Sequence, residues 1–395
     1  MNENKNQEVE KTEELQIDNF DDMQLKTNLL RGIYGYGFEK PSLIQSKAIP
    51  CIMTSKDLIA QSQSGTGKTG AFVIGALQKI DENVKGTQVI ILAHTRELAQ
   101  QIFEVSKNLG HYTAIKSVLC IGGQNIQQTQ TELNNETSVV IGTPGRVIDL
   151  IKRRIVSTRL VRILVIDEAD EMLSYSFQEQ IKTIMKFISD KTQVCLFSAT
   201  LSEPVLELTK RFMNEPHNIL IKPEKLTLEG IKQFYIDTDS ELWKFETLCD
   251  IYNILSVSQT IIYVNTIKRS IELKKQLEDK RFTVSLIHSE MPIDERIKIM
   301  KEFRSGSSRI LISTDLLARG IDIQQISIVI NYDFPRGRNF KESYLHRIGR
   351  SGRFGKKGIA INLLTKHDSY GVTELKDYYK TNIEPMPENV QDYLS

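Results

Sequence analysis

Short apolar runs rich in β-branched residues recur along the first half of the chain. They span Lys56 to Ala60, Gln88 to Leu92, Ser117 to Ile121, Ser138 to Ile141, Ile163 to Ile166 and Gln193 to Phe197, with helical stretches between them. Runs that are apolar at successive positions predict strands covered on both faces, as in a parallel sheet flanked by helices. A second series follows at Thr260 to Val264, Val284 to Ile287, Arg309 to Ser313, Ile326 to Asn331 and Gly358 to Leu363. Two series of one kind predict two similar α/β domains, although no repeat of fixed short period accompanies them. Between the series, the polar run from Lys222 to Gly230, with Pro223 inside it, suits an exposed connector. The expected organisation is a disordered polar tail over 1–17, a lead-in over 18–46, a first domain over 47–222, a connector over 223–232 and a second domain over 233–395.

A chain of 395 residues is long for one core, and 40% hydrophobic with 26% charged residues excludes a wholly disordered protein. Fifty-one basic against 50 acidic residues leave a net charge of +1, so any basic surface must be local. Cys51, Cys120, Cys195 and Cys249 are far apart and form no C-x-x-C pair, which argues against zinc and against a disulfide framework. The polar, acidic first residues are unlike a secretory or transit signal, and no apolar run approaches the roughly 20 residues of a membrane span. A soluble protein of a reducing compartment is expected, cytoplasmic or, as the alternative, nuclear, with no membrane partner.

Chemistry enters after Leu58-Ile59-Ala60, where Ser62-Gln63-Ser64-Gly65-Thr66-Gly67-Lys68-Thr69 leads into a helical stretch. This is the strand, loop and helix order of a phosphate-binding P-loop, with Ser62 at the position of the pattern's first Gly. Gly65 and Gly67 let backbone N–H groups, with those of Ser64 and Thr66, close around phosphate oxygens; Lys68 brings a positive charge and the Thr69 hydroxyl can ligate Mg²⁺. The run Ile163 to Ile166 ends in Asp167-Glu168-Ala169-Asp170. A carboxylate at the end of a buried strand is placed to hold the metal (Asp167), and its neighbour to orient or deprotonate the attacking water (Glu168).

With these two motifs in order, the chain resembles the DEAD-box RNA helicases over nearly everything from Phe20 onward. The resemblance implies two tandem RecA-like domains that use ATP and Mg²⁺ and grip RNA. Gly37 to Gln45 looks like the adenine-reading segment, which assigns stacking on adenine to Phe38 and a hydrogen bond to its edge to Gln45. A Gln amide offers the donor and acceptor that adenine's N6 and N7 require. Thr95-Arg96, Gly123 and Thr143-Pro144-Gly145-Arg146 correspond to segments that touch the RNA backbone, a mode that carries little sequence preference. Asp322 falls in a motif near the ribose, and Arg350 and Arg353 in one whose arginines reach the γ-phosphate from the second domain. Ser198 and Thr200 resemble the motif that relays nucleotide state to RNA, while a helix cap before Leu201 is an equal reading of these three residues alone.

The chain departs from the pattern at His94, where Pro is usual, at Ile293 in place of Gln, at Ser289 in place of Gly, and in a longer Asn331 to His346 segment. Within the family, Leu316 to Ile321 looks like the translation-initiation type, and Ala60 to Gln63 with Gly349 to Gly352 like the exon-junction type. With no appended domain in view, a minimal helicase core is expected, acting in translation initiation or, alternatively, as an ATP-gated RNA clamp in RNA processing. Protein regulators of either process are the expected partners beside RNA.

Overall fold

The structure, a computed structural model, describes residues 17–63, 65–134, 136–220, 231–254, 259–318, 326–351, 357–387, 390 and 393. The first sheet holds β1 (Leu58–Gln61), β2 (Val89–Leu92), β3 (Lys116–Cys120), β4 (Thr137–Gly142), β5 (Ile163–Asp167), β6 (Gln193–Ser198) and β7 (His217–Ile219), in the order β3-β4-β2-β5-β6-β1-β7. The second holds β8 (Ile231–Asp237), β9 (Thr260–Tyr263), β10 (Val284–Ile287), β11 (Ile310–Ser313), β12 (Ile328–Asn331), β13 (Gly358–Leu364) and β14 (Glu384–Pro385), ordered β10-β11-β9-β12-β13-β8-β14. Renumbering each sheet from its own first strand gives the same order, 3-4-2-5-6-1-7, so both halves share one topology. All the pairings are parallel.

Continuous apolar runs work here because the sheet is covered twice. Along β2, Val89 and Ile91 join one buried cluster while Ile90 and Leu92 join another on the opposite face, and β5 divides Ile163 and Val165 from Leu164 and Ile166 in the same way. Among the described residues, the two clusters of the first domain and the three of the second contain no residue in common, and none spans both domains. Parallel strands also bring all their C-terminal ends to one edge, where an α/β sheet binds ligands.

Two expected boundaries are corrected. Ile231 and Lys232, assigned to the connector, already pair with Gly358 and Ile359 in the second sheet. Ile17, assigned to the tail, packs against the core of the first domain beside buried Phe20. Among the described residues no helix is long and apolar enough to cross a membrane.

Candidate active site

The P-loop leaves the end of β1, and Lys68 opens the helix Lys68–Lys79. Gly67 sits at φ +99°, and a Cβ there would lie 2.9 Å from Gln45 Nε2, so both its conformation and its neighbour require glycine. Lys68 is buried rather than solvated, and its Nζ donates to the carbonyls of Ser62 (2.6 Å) and Gln63 (3.1 Å). Burial lowers its pKa, against the opposing charges of Glu168 and Asp167. Thr66 Oγ1 donates to the Gln63 carbonyl at 2.8 Å, Gly65 stands exposed at the loop's crown, and Thr69 lies half-buried in the first helical turn.

Gln45 is tied into this loop. It belongs to the helix Leu43–Met53, where its Oε1 accepts from Ser42 N (2.8 Å) as part of a capping box, and its Nε2 donates to the Gly67 carbonyl (3.3 Å). The amide therefore couples the helix start to the phosphate loop, keeping one hydrogen and one lone pair for a base edge. Phe38 is half-buried, stacked on Phe20 at 6.3 Å, with its edge over Gly70.

Asp167 ends β5 and accepts from Glu168 N at 2.9 Å. Burial, then the charge of Glu168, pushes Asp167 up to about 8. Burial acts upward on Glu168 too, but Lys68 and His346 outweigh it and leave that carboxyl below its ordinary range. Glu168 Oε2 is buried without a hydrogen-bond partner, and the residue holds φ +50° to turn from strand to helix. Hard carboxylate oxygens crowded beside a lysine at a phosphate loop suit a Mg²⁺ ion, whose charge would favour ionisation of both acids. Arg350 of the second domain is 1% exposed, close enough for its charge to act on Lys68. Ser64, Asp322 and Arg353 lie outside the described residues.

Behind the carboxylates, Asp170 joins the domains. Ser198 Oγ donates to its Oδ1 (2.9 Å) and Thr200 Oγ1 to its Oδ2 (2.7 Å), while His346 Nε2 of the second domain stands 3.0 Å from the same Oδ2. Asp170 and His346 are not among the expected site residues, although Asp170 closes the Asp167-Glu168-Ala169-Asp170 run and His346 lies four residues before Arg350. Arg347, beside His346, serves its own domain: it donates to Asp315 Oδ1 (2.6 Å), the Asp333 carbonyl (2.7 Å) and Asn265 Oδ1 (2.8 Å).

The expected RNA track follows the ends of β2, β3 and β4. Thr95 caps the helix Arg96–Leu109 by accepting from Leu98 N, and Thr143 precedes the helix Pro144–Lys152, with Pro144 buried and Gly145 exposed. The Arg96 guanidinium lies over Gly122 and Gly123, 3.1 Å from where a Cβ on Gly122 would be. Arg146 donates to the carbonyls of Ile121 (3.0 Å) and Gln124 (2.7 Å), so it also braces the Gly122-Gly123 turn. The Asn331 to His346 segment turns at Gly337 (φ +97°), and its Asn339 and Glu342 reach a cavity of about 380 Å³ shared with Ser174, Gln178 and Arg211 of the first domain.

The DEAD/DEAH box helicase model matches residues 42–208, and the helicase conserved C-terminal domain matches 243–355. Eukaryotic initiation factor 4A of Caenorhabditis elegans is 51% identical over 378 residues, 96% of this chain and 93% of the relative. ATP-dependent RNA helicase eIF4A of Mycosarcoma maydis is 51% identical over 387 residues, covering 98% and 93%. The chain belongs to the DEAD-box family of ATP-dependent RNA helicases. The structure of S. cerevisiae Dbp5 bound to RNA and ADP BeF3 superposes with a TM-score of 0.90 at 35% identity, covering 95% of this chain and 97% of that one. A Dbp5 variant bound to Nup159, Gle1, IP6 and ADP gives 0.65 at 34% identity, covering 91% and 94%. The two RecA-like domains of this DEAD-box protein therefore lie relative to each other much as those of Dbp5 with RNA and ADP BeF3, and in this arrangement Asp170 meets His346.

Proposed function

We propose that this helicase closes its two domains around ATP and the backbone of single-stranded RNA, bends the strand, opens short duplexes locally, and acts in translation initiation. The observation that carries the mechanism is the Asp170 junction, which joins the helix after the catalytic carboxylates, both hydroxyls of Ser198 and Thr200, and His346 across the cleft. Support for the process comes from relatives named initiation factor 4A at 51% identity. A cytoplasmic location, and regulators that act on domain closure, accord with that role.

Lys68 and the P-loop amides hold the phosphates, Phe38 and Gln45 select adenine, and Glu168 orients the water that attacks the γ-phosphate. Arg350 brings positive charge to that phosphate only when the domains are together. Asp167 and Thr69 would hold Mg²⁺, which neutralises charge on the phosphates when bound. Arg96, Thr95, Thr143 and the Gly122-Gly123 and Gly145 turns supply backbone contacts to RNA, with Arg146 bracing them. DNA stacking averages about 1.4 kcal/mol per step, so bending opens a few pairs while long duplexes resist.

The deciding experiment is steady-state ATPase with and without a uridine oligonucleotide, beside release of labelled RNA after ATP is consumed. The expected result is RNA stimulation, a kcat/KM for ATP above that for GTP, and RNA release on hydrolysis. Equal use of GTP would overturn the adenine assignment. RNA retained after hydrolysis would favour a clamp over a turnover helicase.

A further inference from the structure

The helix Ile293–Arg304 of the second domain presents its first turn to the first domain. Ile293 Cδ1 lies 2.1 Å from the position a Cβ on Gly123 would occupy, so this contact exists only because residue 123, at φ +92°, has no side chain. Three residues on, and so on the same helix face, Arg296 Nη1 pairs with Glu97 Oε1 at 2.9 Å, with side chains only 5% and 8% exposed. Glu97 follows Arg96 in the chain, and Arg96 lies against the same Gly122-Gly123 turn that Ile293 touches, 3.5 Å from that Gly123 Cβ position. The first domain thus offers one small surface, the double-glycine turn with Arg96 over it, and the second domain covers it with an apolar tip and a buried charge.

Resting on the RNA reading above, we infer that Ile293 is a positioning residue, the apolar half of a latch that fastens the closed domains and fixes Arg96 toward the RNA backbone. An isoleucine needs no hydrogen-bond partner when it enters the interface, whereas the glutamine usual in the family must exchange its water for protein partners. In this chain polar specificity rests with Arg296 and Glu97, and Ile293 adds contact that depends on close approach to Gly123. Because the latch forms on the RNA side, away from the P-loop, it acts on the concentration of RNA needed for closure and not on the chemical step.

The test is ATPase of the full chain against uridine-oligonucleotide concentration, for wild type, Ile293→Gln, Ile293→Ala and Ile293→Leu, after melts confirm folding. Ile293→Ala and Ile293→Gln should raise the half-saturating RNA about three- to tenfold and leave kcat at saturating RNA within about twofold. Ile293→Leu, which keeps an apolar tip, should stay near wild type. Glu97→Arg and Arg296→Glu should each weaken RNA use, and the double exchange should recover part of the loss. Unchanged half-saturation in Ile293→Ala and Ile293→Gln, a loss confined to kcat, or no recovery in the double exchange overturns the latch. A wild-type enzyme that ignores RNA overturns the function itself and the latch with it.

Discussion

Glu168 concentrates the demands of the site in one residue: a left-handed backbone, a buried carboxylate oxygen without a partner, and a charge held by Lys68 and His346. A group kept ionised beside a phosphate loop is suited to accept a proton or orient water, and an amide in its place is not. Glu168→Gln should therefore lower ATPase by about 10²-fold or more while ATP still binds and the cleft still closes, so labelled RNA stays trapped. Arg350→Ala removes the second domain's charge from the site, and both hydrolysis and stable closure should fail, with rapid RNA release. Equal release times for the two variants at saturating ATP would contradict this division of labour. The cysteines behave differently from such reactive groups. Burial pushes the Cys120 thiol up to about 12 and raises Cys195 further, whereas Cys51 and Cys249 are only partly buried. A thiol reagent at pH 8 should modify no more than Cys51 and Cys249 in the native protein and all four cysteines in denaturant, read by mass spectrometry.

At the scale of elements, Asp57 ties the start of β1 to segments more than 130 residues away. Its Oδ1 accepts from Val194 N (2.7 Å) at the beginning of β6, its Oδ2 from Asn214 N (2.8 Å), and its own carbonyl from His217 N (2.7 Å) in β7. Asp57→Ala would leave the buried N–H of Val194 without its acceptor, and the part-buried N–H of Asn214 with water alone, and should cost about 1–3 kcal/mol, seen as a lower denaturant midpoint. Asp57→Asn keeps one acceptor and should fall between. A midpoint for Asp57→Ala equal to wild type would show that water replaces the carboxylate. Long-range ties of this kind also mark what the sequence could and could not reveal. Strands β1 to β6 and β9 to β13 were legible within about two residues because each is an apolar run. Strand β8 does not show as an apolar run because Ile231-Lys232-Gln233-Phe234 mixes polarity, and its buried Gln233 pairs with Thr381 and Tyr344, far along the chain. Strands β7 and β14 have three and two residues, too short to show a period. The phosphate loop and carboxylates were legible because each is local, following one strand. Asp170 with His346, 176 residues apart, and Glu97 with Arg296 depend on how two domains meet, which no local pattern encodes.

The whole molecule is two cores facing each other across a polar seam. Among the described residues no hydrophobic cluster crosses it, and the polar contacts that do cross are His346 with Asp170 and Arg296 with Glu97. Such a seam gains little from apolar burial, and closing it removes water from Lys68, Asp167, Glu168 and Arg350 together. Closure should then be favourable only when ligands supply the compensating charge: nucleotide phosphates against Lys68 and Arg350 on one side, RNA phosphates against Arg96 on the other. The radius of gyration in solution scattering should be large for the free protein, change little with either a non-hydrolysable ATP analogue or a uridine oligonucleotide alone, and fall when both are present. Because the RNA contribution is charge on charge, the RNA needed for that fall should rise steeply with salt and differ little among base sequences. Asp170→Asn, which weakens the hydrogen bonds from Thr200 and His346, should raise the concentrations of both ligands needed for compaction while each domain keeps its fold by circular dichroism. A free protein already as compact as the doubly liganded one would mean that the seam closes by itself, and that ATP and RNA act on a preformed cleft instead of creating it.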